Sequence, residues 1–146
     1  EEEGTLANPA DALVGDNLFI AVRGLFGELV APGKERSVPF LPTLTEVRLL
    51  HQPLKWSRVT VRRAAETSRV QVPAGKFVVD TYTFSSPGRA DLTVQVEAEG
   101  LRRIVSWSSR TGERGSLKLS RRMKYWELNR NGDEAQIGLE PTCQGC

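Results

Sequence analysis

Histidine occurs once in this 146-residue chain, methionine once and cysteine twice, and no apolar run is long. Each scarcity excludes something. A bilayer-spanning helix needs about 20 consecutive apolar residues, and the most apolar early segment, Leu18 to Val22, is far too short. A Ser-His-Asp triad would have to use His51, yet no Gly-x-Ser-x-Gly elbow accompanies it. Beside Gln52-Pro53, His51 reads as a turn residue. No catalytic residue is assigned on these grounds, and neither a cofactor nor a resident metal is expected.

A surplus of one charge is missing too. The formal net charge is +2, which says little about partners. Arginine is grouped in the doublets Arg62-Arg63, Arg102-Arg103 and Arg121-Arg122, all read as lying on strands. Adjacent strand residues face opposite sides, so a doublet does not put both charges on one surface. These arginines are expected to be solvated or paired with nearby Glu. A nucleic-acid platform wants basic residues and aromatics on one face, and nucleic acid is not an expected partner.

What is present fits a globular protein: 39% hydrophobic and 26% charged residues, in a length suited to one domain. The whole chain, 1–146, is read as a single β-rich domain, with residues 1–15 an N-terminal arm and 127–146 a C-terminal tail. The opening Glu1-Glu2-Glu3 lacks an initiator Met. That fits either a trimmed chain or a mature one whose signal peptide has been removed.

Local patterns supply the elements. Asp16 is placed to N-cap a short helix in which Leu18, Phe19 and Val22 recur at helical spacing, with Gly24 as its stop. From residue 35 onwards, strand patterns alternate with turn signals about every ten residues. Strands are expected over 36–40, 45–50, a run from Trp56 through Val59 and Val61, and 69–72. Pro73-Ala74-Gly75 turns the chain, and further strands follow over 76–84, 92–97, 101–107, 116–126 and 136–139. Leu92, Val94 and Val96 alternate with Thr93, Gln95 and Glu97, as in a half-buried antiparallel strand. The fold class expected is mostly β: a curved antiparallel sheet, or a lipocalin-like partial barrel or sandwich, with one short N-terminal helix.

One segment, Val70-Gln71-Val72-Pro73-Ala74-Gly75-Lys76-Phe77, resembles the Val-Pro-Ala-Gly-Thr-Phe hairpin of bacterial envelope proteins in the domain-of-unknown-function 3108 group. Leu101-Arg102-Arg103-Ile104-Val105-Ser106-Trp107 is similar to their later basic-aliphatic-Val step and aromatic, and the Arg-rich stretch 112–126 is similar in layout. The resemblance spans about residues 18–126, with Lys76 where Thr is usual. It implies a β-rich curved-sheet or lipocalin-like domain, exported to the periplasm or beyond, with no established catalysis. Its relatives carry more β sequence upstream, which would leave a sheet edge here uncovered and open to a partner.

Among chemistry-bearing groups, Cys143-Gln144-Gly145-Cys146 is the sharpest. Thiols at this spacing serve a redox disulfide, half a zinc site or haem attachment. Here they follow Pro141 at the end of the chain, without a βαβ setting, further ligands or a following His, and a plain disulfide or two free thiols is the simpler reading. Asp80, in an otherwise apolar and aromatic strand, is expected to pair with a cross-strand Arg. Asn131-Gly132-Asp133-Glu134 lacks the ligand spacing of a calcium loop and reads as a turn. Trp56, Tyr82, Trp107, Tyr125 and Trp126 either fill the core or contact a ligand or partner; Tyr125 and Trp126, read as strand neighbours, would not both point inward.

The functional expectation is a non-enzymatic cell-envelope domain that binds a ligand or acts as a scaffold, as an accessory subunit of a membrane-associated assembly. Its partner would be a protein or an apolar small molecule. The alternative is a thiol redox, metal or haem protein working through Cys143 and Cys146.

Overall fold

The computed structural model describes residues 6–51, 53–88 and 91–133. Eight strands form one curled, open, antiparallel-rich sheet, a half-barrel. They are β1 (Leu13–Val14), β2 (Glu35–Leu41), β3 (Ser57–Arg63), β4 (Ser68–Val72), β5 (Gly75–Ser85), β6 (Leu92–Glu97), β7 (Ile104–Ser109) and β8 (Arg114–Ser116). Two short helices join them, α1 (Leu18–Val22) and α2 (Leu44–Leu49). The sheet order is β1-β2-β3-β5-β6-β7-β8, a meander apart from β4 and the parallel β1–β2 pair.

The long strand β5 organises the sheet. One of its edges pairs with β6. The other is shared end to end, β3 along its C-terminal half and β4 along its N-terminal half. The β4–β5 hairpin closes through Pro73-Ala74, with Val72 opposite Gly75 and Gly75 at φ 133°. Pro at the first turn position has its φ preset, and Gly accepts the positive φ without a Cβ penalty.

Alternation sorts side chains onto two faces. Val38 and Phe40, Val59 and Val61, Tyr82 and Phe84, and Val94 and Val96 line the concave face and join Leu18, Ala21 and Val22 of α1 in the main core. A smaller core on the other face gathers Val72, Val79 and Val105, with Phe77 and Leu117 against them. The side chains sealed below 2% exposure are valines, Val22, Val38, Val61, Val79, Val94, Val96 and Val105 among them. Stiff β-branched side chains suit a pleated, tightly curved surface. A register step between Gln95 and Val96 leaves Val105 as the extra residue of β7, and such a bulge bends its strand.

Several local expectations are corrected. Residues 45–50 form no strand: Leu44–Leu49 is α2, because Thr43 Oγ1 accepts the Glu46 N–H and caps the first turn. Asp16 does not cap α1. It lies in a 3-10 turn, Gly15–Asn17, and its carboxylate accepts the Leu44 N–H at 3.3 Å, so it caps α2 instead. Among the described residues the last strand is Arg114–Ser116, not 116–126. β7 begins at Ile104, after Arg102 has turned left-handed at φ 52°, and past Ser116 the Leu117 N–H still bonds to the Val105 carbonyl. Leu117 also gives its carbonyl to the Ala74 N–H. Arg102-Arg103 therefore precedes a strand and Arg121-Arg122 lies in irregular chain. The arm is tied down: β1 pairs with β2, and Asp11 meets Arg36 at 2.9 Å.

Candidate functional site

The half-barrel is closed at one end and open at the other, and β5 shows why. Its inward residues read Asp80, Tyr82, Phe84, opposite Val96, Val94 and Leu92 of β6. Around Asp80 the interior is filled by charge. The Asp80 carboxylate, 8% exposed, receives Arg102 at 2.6 Å and Arg63 at 3.0 Å. Arg63 also lies over the Tyr82 ring at 5.6 Å and reaches Glu28 at 3.1 Å. Two guanidiniums on one carboxylate offset its desolvation, which a lone buried charge could not survive.

Arg102 ties this network to α1. Its guanidinium donates to the carbonyls of Val22 and Ala98 as well as to Asp80. Burial pulls the Arg102 pKa down, but its hydrogen bonds with Asp80 and Tyr82 carry it above the ordinary value. In return Arg23, the residue after α1, donates to the carbonyls of Arg102 and Leu101. The C-terminal end of α1 is thus clamped across the β6–β7 turn, and the otherwise unpaired helix carbonyl of Val22 is satisfied.

The N-terminal end of α1 borders the open end, a cleft of about 880 Å³. Its floor is apolar: Phe40, Val59, Phe84, Leu92 and Trp107 from the sheet, with Leu18 and Phe19 from α1. Trp107 and Phe19 meet with ring centroids 6.4 Å apart. Trp107 lies against Gly115, its partner across β7–β8, where any Cβ would fall inside the indole. The rim carries Lys55, Glu46 and Glu113, with hydroxyls from Ser57, Ser86 and Thr111.

One wall of this cleft is α2, which buries none of its residues. Leu44, Leu49 and Leu50 are 60%, 75% and 55% exposed, and Leu49 and Leu50 face the cleft. The helix is held at its start, where Gly15 approaches so closely that a Cβ would lie 2.8 Å from the Thr43 nitrogen. Beyond its last turn the chain bends at His51, exposed and at φ 49°.

The expected site residues do not converge. Of the expected site residues that are described, only Trp107 lines the cleft. Tyr82 is core, 2% exposed. Trp56 is half-buried and donates its indole N–H to the Ala7 carbonyl at 2.8 Å, holding the arm. Tyr125 and Trp126 lie not on a strand but in a 3-10 turn, Tyr125–Glu127, where both are exposed and packed edge to face, centroids 5.4 Å apart. Cys143 and Cys146, with the redox, zinc and haem readings they carry, lie outside the described residues, as does the strand expected over 136–139. Asn131-Gly132-Asp133 does form a turn, with the Asp133 carboxylate accepting the Arg130 N–H. Among the described residues no group of three His, Cys, Asp or Glu could hold a metal ion, and no helix is long and apolar enough to cross a membrane.

Sequence reasoning missed α2 and with it a wall of the cleft. The signal was there, in Thr43-Leu44-Thr45-Glu46 after a proline.

The chain matches no family model, no curated protein and no solved structure.

Proposed function

We propose that this domain is a non-catalytic binding module that takes an apolar molecule, or the apolar segment of a larger one, into the open end of its half-barrel. One observation carries the reading: a cleft of about 880 Å³ with an apolar floor and a sparse polar rim. Small-molecule sites fall in this size range and share this make-up. The exposed leucines of α2 add support, because an apolar ligand in the cleft would cover side chains that now face water.

The compartment is part of the proposal. The β4–β5 hairpin carries the Val-Pro-Ala-Gly sequence that resembles exported envelope proteins, and on that likeness we assign the domain to the bacterial envelope, as an accessory subunit of a membrane-associated assembly.

The test is native mass spectrometry of the purified protein, beside titration with the apolar fluorophore N-phenylnaphthylamine. A bound species released on denaturation, or saturable fluorophore binding weakened by Leu49→Glu and by Trp107→Ala, is the expected result. A protein that carries nothing and leaves the fluorophore dark would end the carrier reading.

A further inference from the structure

The near-neutral total conceals a concentrated charge. Residues 114–124 contain Arg114, Lys118, Arg121, Arg122 and Lys124 and no Asp or Glu. Setting these five aside leaves 15 basic against 18 acidic residues, so the rest of the chain has a net charge of −3. In the structure the chain leaves the sheet after Leu117 and runs irregularly to Lys124, with every basic residue of the segment exposed.

Apolar groups accompany the charge. Leu119 is 44% exposed, and the 3-10 turn that ends the run presents Tyr125 at 70% and Trp126 at 60%. The turn is built rather than frayed: the Glu127 and Leu128 N–H groups bond to the Lys124 and Tyr125 carbonyls, and the Asn129 amide donates to the Trp126 carbonyl. Large exposed apolar side chains beside a basic run mark an interaction surface.

We propose that residues 114–126 dock the domain onto an anionic membrane surface. Lysine and arginine beside a bilayer gain from its negative potential. Tyrosine and tryptophan place their rings at headgroup depth and keep their polar ends in water. A single-stranded nucleic acid would also use cations and aromatics, but Tyr125 and Trp126 pack edge to face on each other instead of opening a stacking face. Leu119 has nothing to offer a base, whereas hydrocarbon accepts it. This surface stands independently of the cleft.

The experiment is co-sedimentation with two kinds of vesicle: phosphatidylcholine alone, and phosphatidylcholine with one third phosphatidylglycerol. Binding is expected to the second only, to disappear at high salt, and to be accompanied by a blue shift of tryptophan emission that Trp126→Phe abolishes. Each cation near such a surface contributes about fivefold in affinity, so Lys118→Gln with Arg122→Gln should weaken binding about 25-fold. Both side chains are exposed, and the melting temperature of the double variant should match the parent. Equal binding to both vesicles, no binding to either, an unchanged double variant, or capture of an oligothymidylate in place of vesicles would each overturn the proposal.

Discussion

Asp80 is the residue on which the closed end of the half-barrel depends. It faces the concave side from the middle of β5, and its carboxylate is the shared acceptor for Arg63 and Arg102. Removing one partner of a buried ion pair leaves uncompensated charge behind, a loss of about 3–5 kcal/mol. Asp80→Ala should therefore lower the stability measured by urea unfolding by about that amount, and should release α1, since Arg102 also holds the Val22 carbonyl. Glu97 and Arg103 form a second pair at 2.6 Å. The hydrogen bonds from the Arg103 side chain hold the Glu97 carboxyl below its ordinary pKa, more than offsetting its partial burial. Such a group stabilises fully above its unfolded value of about 4.3, and that contribution is lost as pH falls through the lower folded value. Glu97→Gln should cost stability at neutral pH, and the gap to the parent should narrow in urea titrations below about pH 4.

At the scale of elements, α2 and the basic segment behave alike: both bury little. The second helix depends on two caps, Thr43 Oγ1 and the Asp16 carboxylate. Losing an N-cap costs about 1 kcal/mol, and in a helix with no buried residue that loss stays local. Thr43→Ala should speed amide hydrogen exchange across residues 46–50 while leaving the global unfolding midpoint nearly unchanged. A collapse of the whole fold would mean that α2 carries more of the core than its exposure indicates. The strands were the most legible elements, because Leu92, Val94 and Val96 or Val59 and Val61 alternate as a half-buried sheet requires. The helix at 44–49 is hidden from periodicity because Val47 and Leu49 also alternate as in a strand, and the capping residues that decide the matter stand before the apolar pattern.

The whole molecule is a sheet curled far enough to make a concave face but not far enough to close it. Its charged end is sealed by α1 and Asp80, and its other end opens as the cleft. A ligand bound only by the folded state stabilises it by about 2.7 kcal/mol at a hundredfold excess over Kd. For a domain of this size that is about 8 °C in Tm, so thermal scans with N-phenylnaphthylamine should show such a rise, and Leu49→Glu should reduce it. The sequence by itself determined the strand segments over 36–40, 57–63, 69–72, 76–84, 92–97 and 104–107, the Pro73-Ala74 turn, the absence of a long apolar run and the need of Asp80 for an Arg. These are local, readable from period-two alternation, from turn chemistry and from the cost of a buried charge. Only the tertiary structure decided which arginines meet Asp80, that Tyr82 is core while Trp107 faces the cleft, and that residues 118–124 leave the sheet. Those outcomes depend on the curl of the sheet and on where β7 begins, which arise from pairing between distant segments and leave no mark in any one of them.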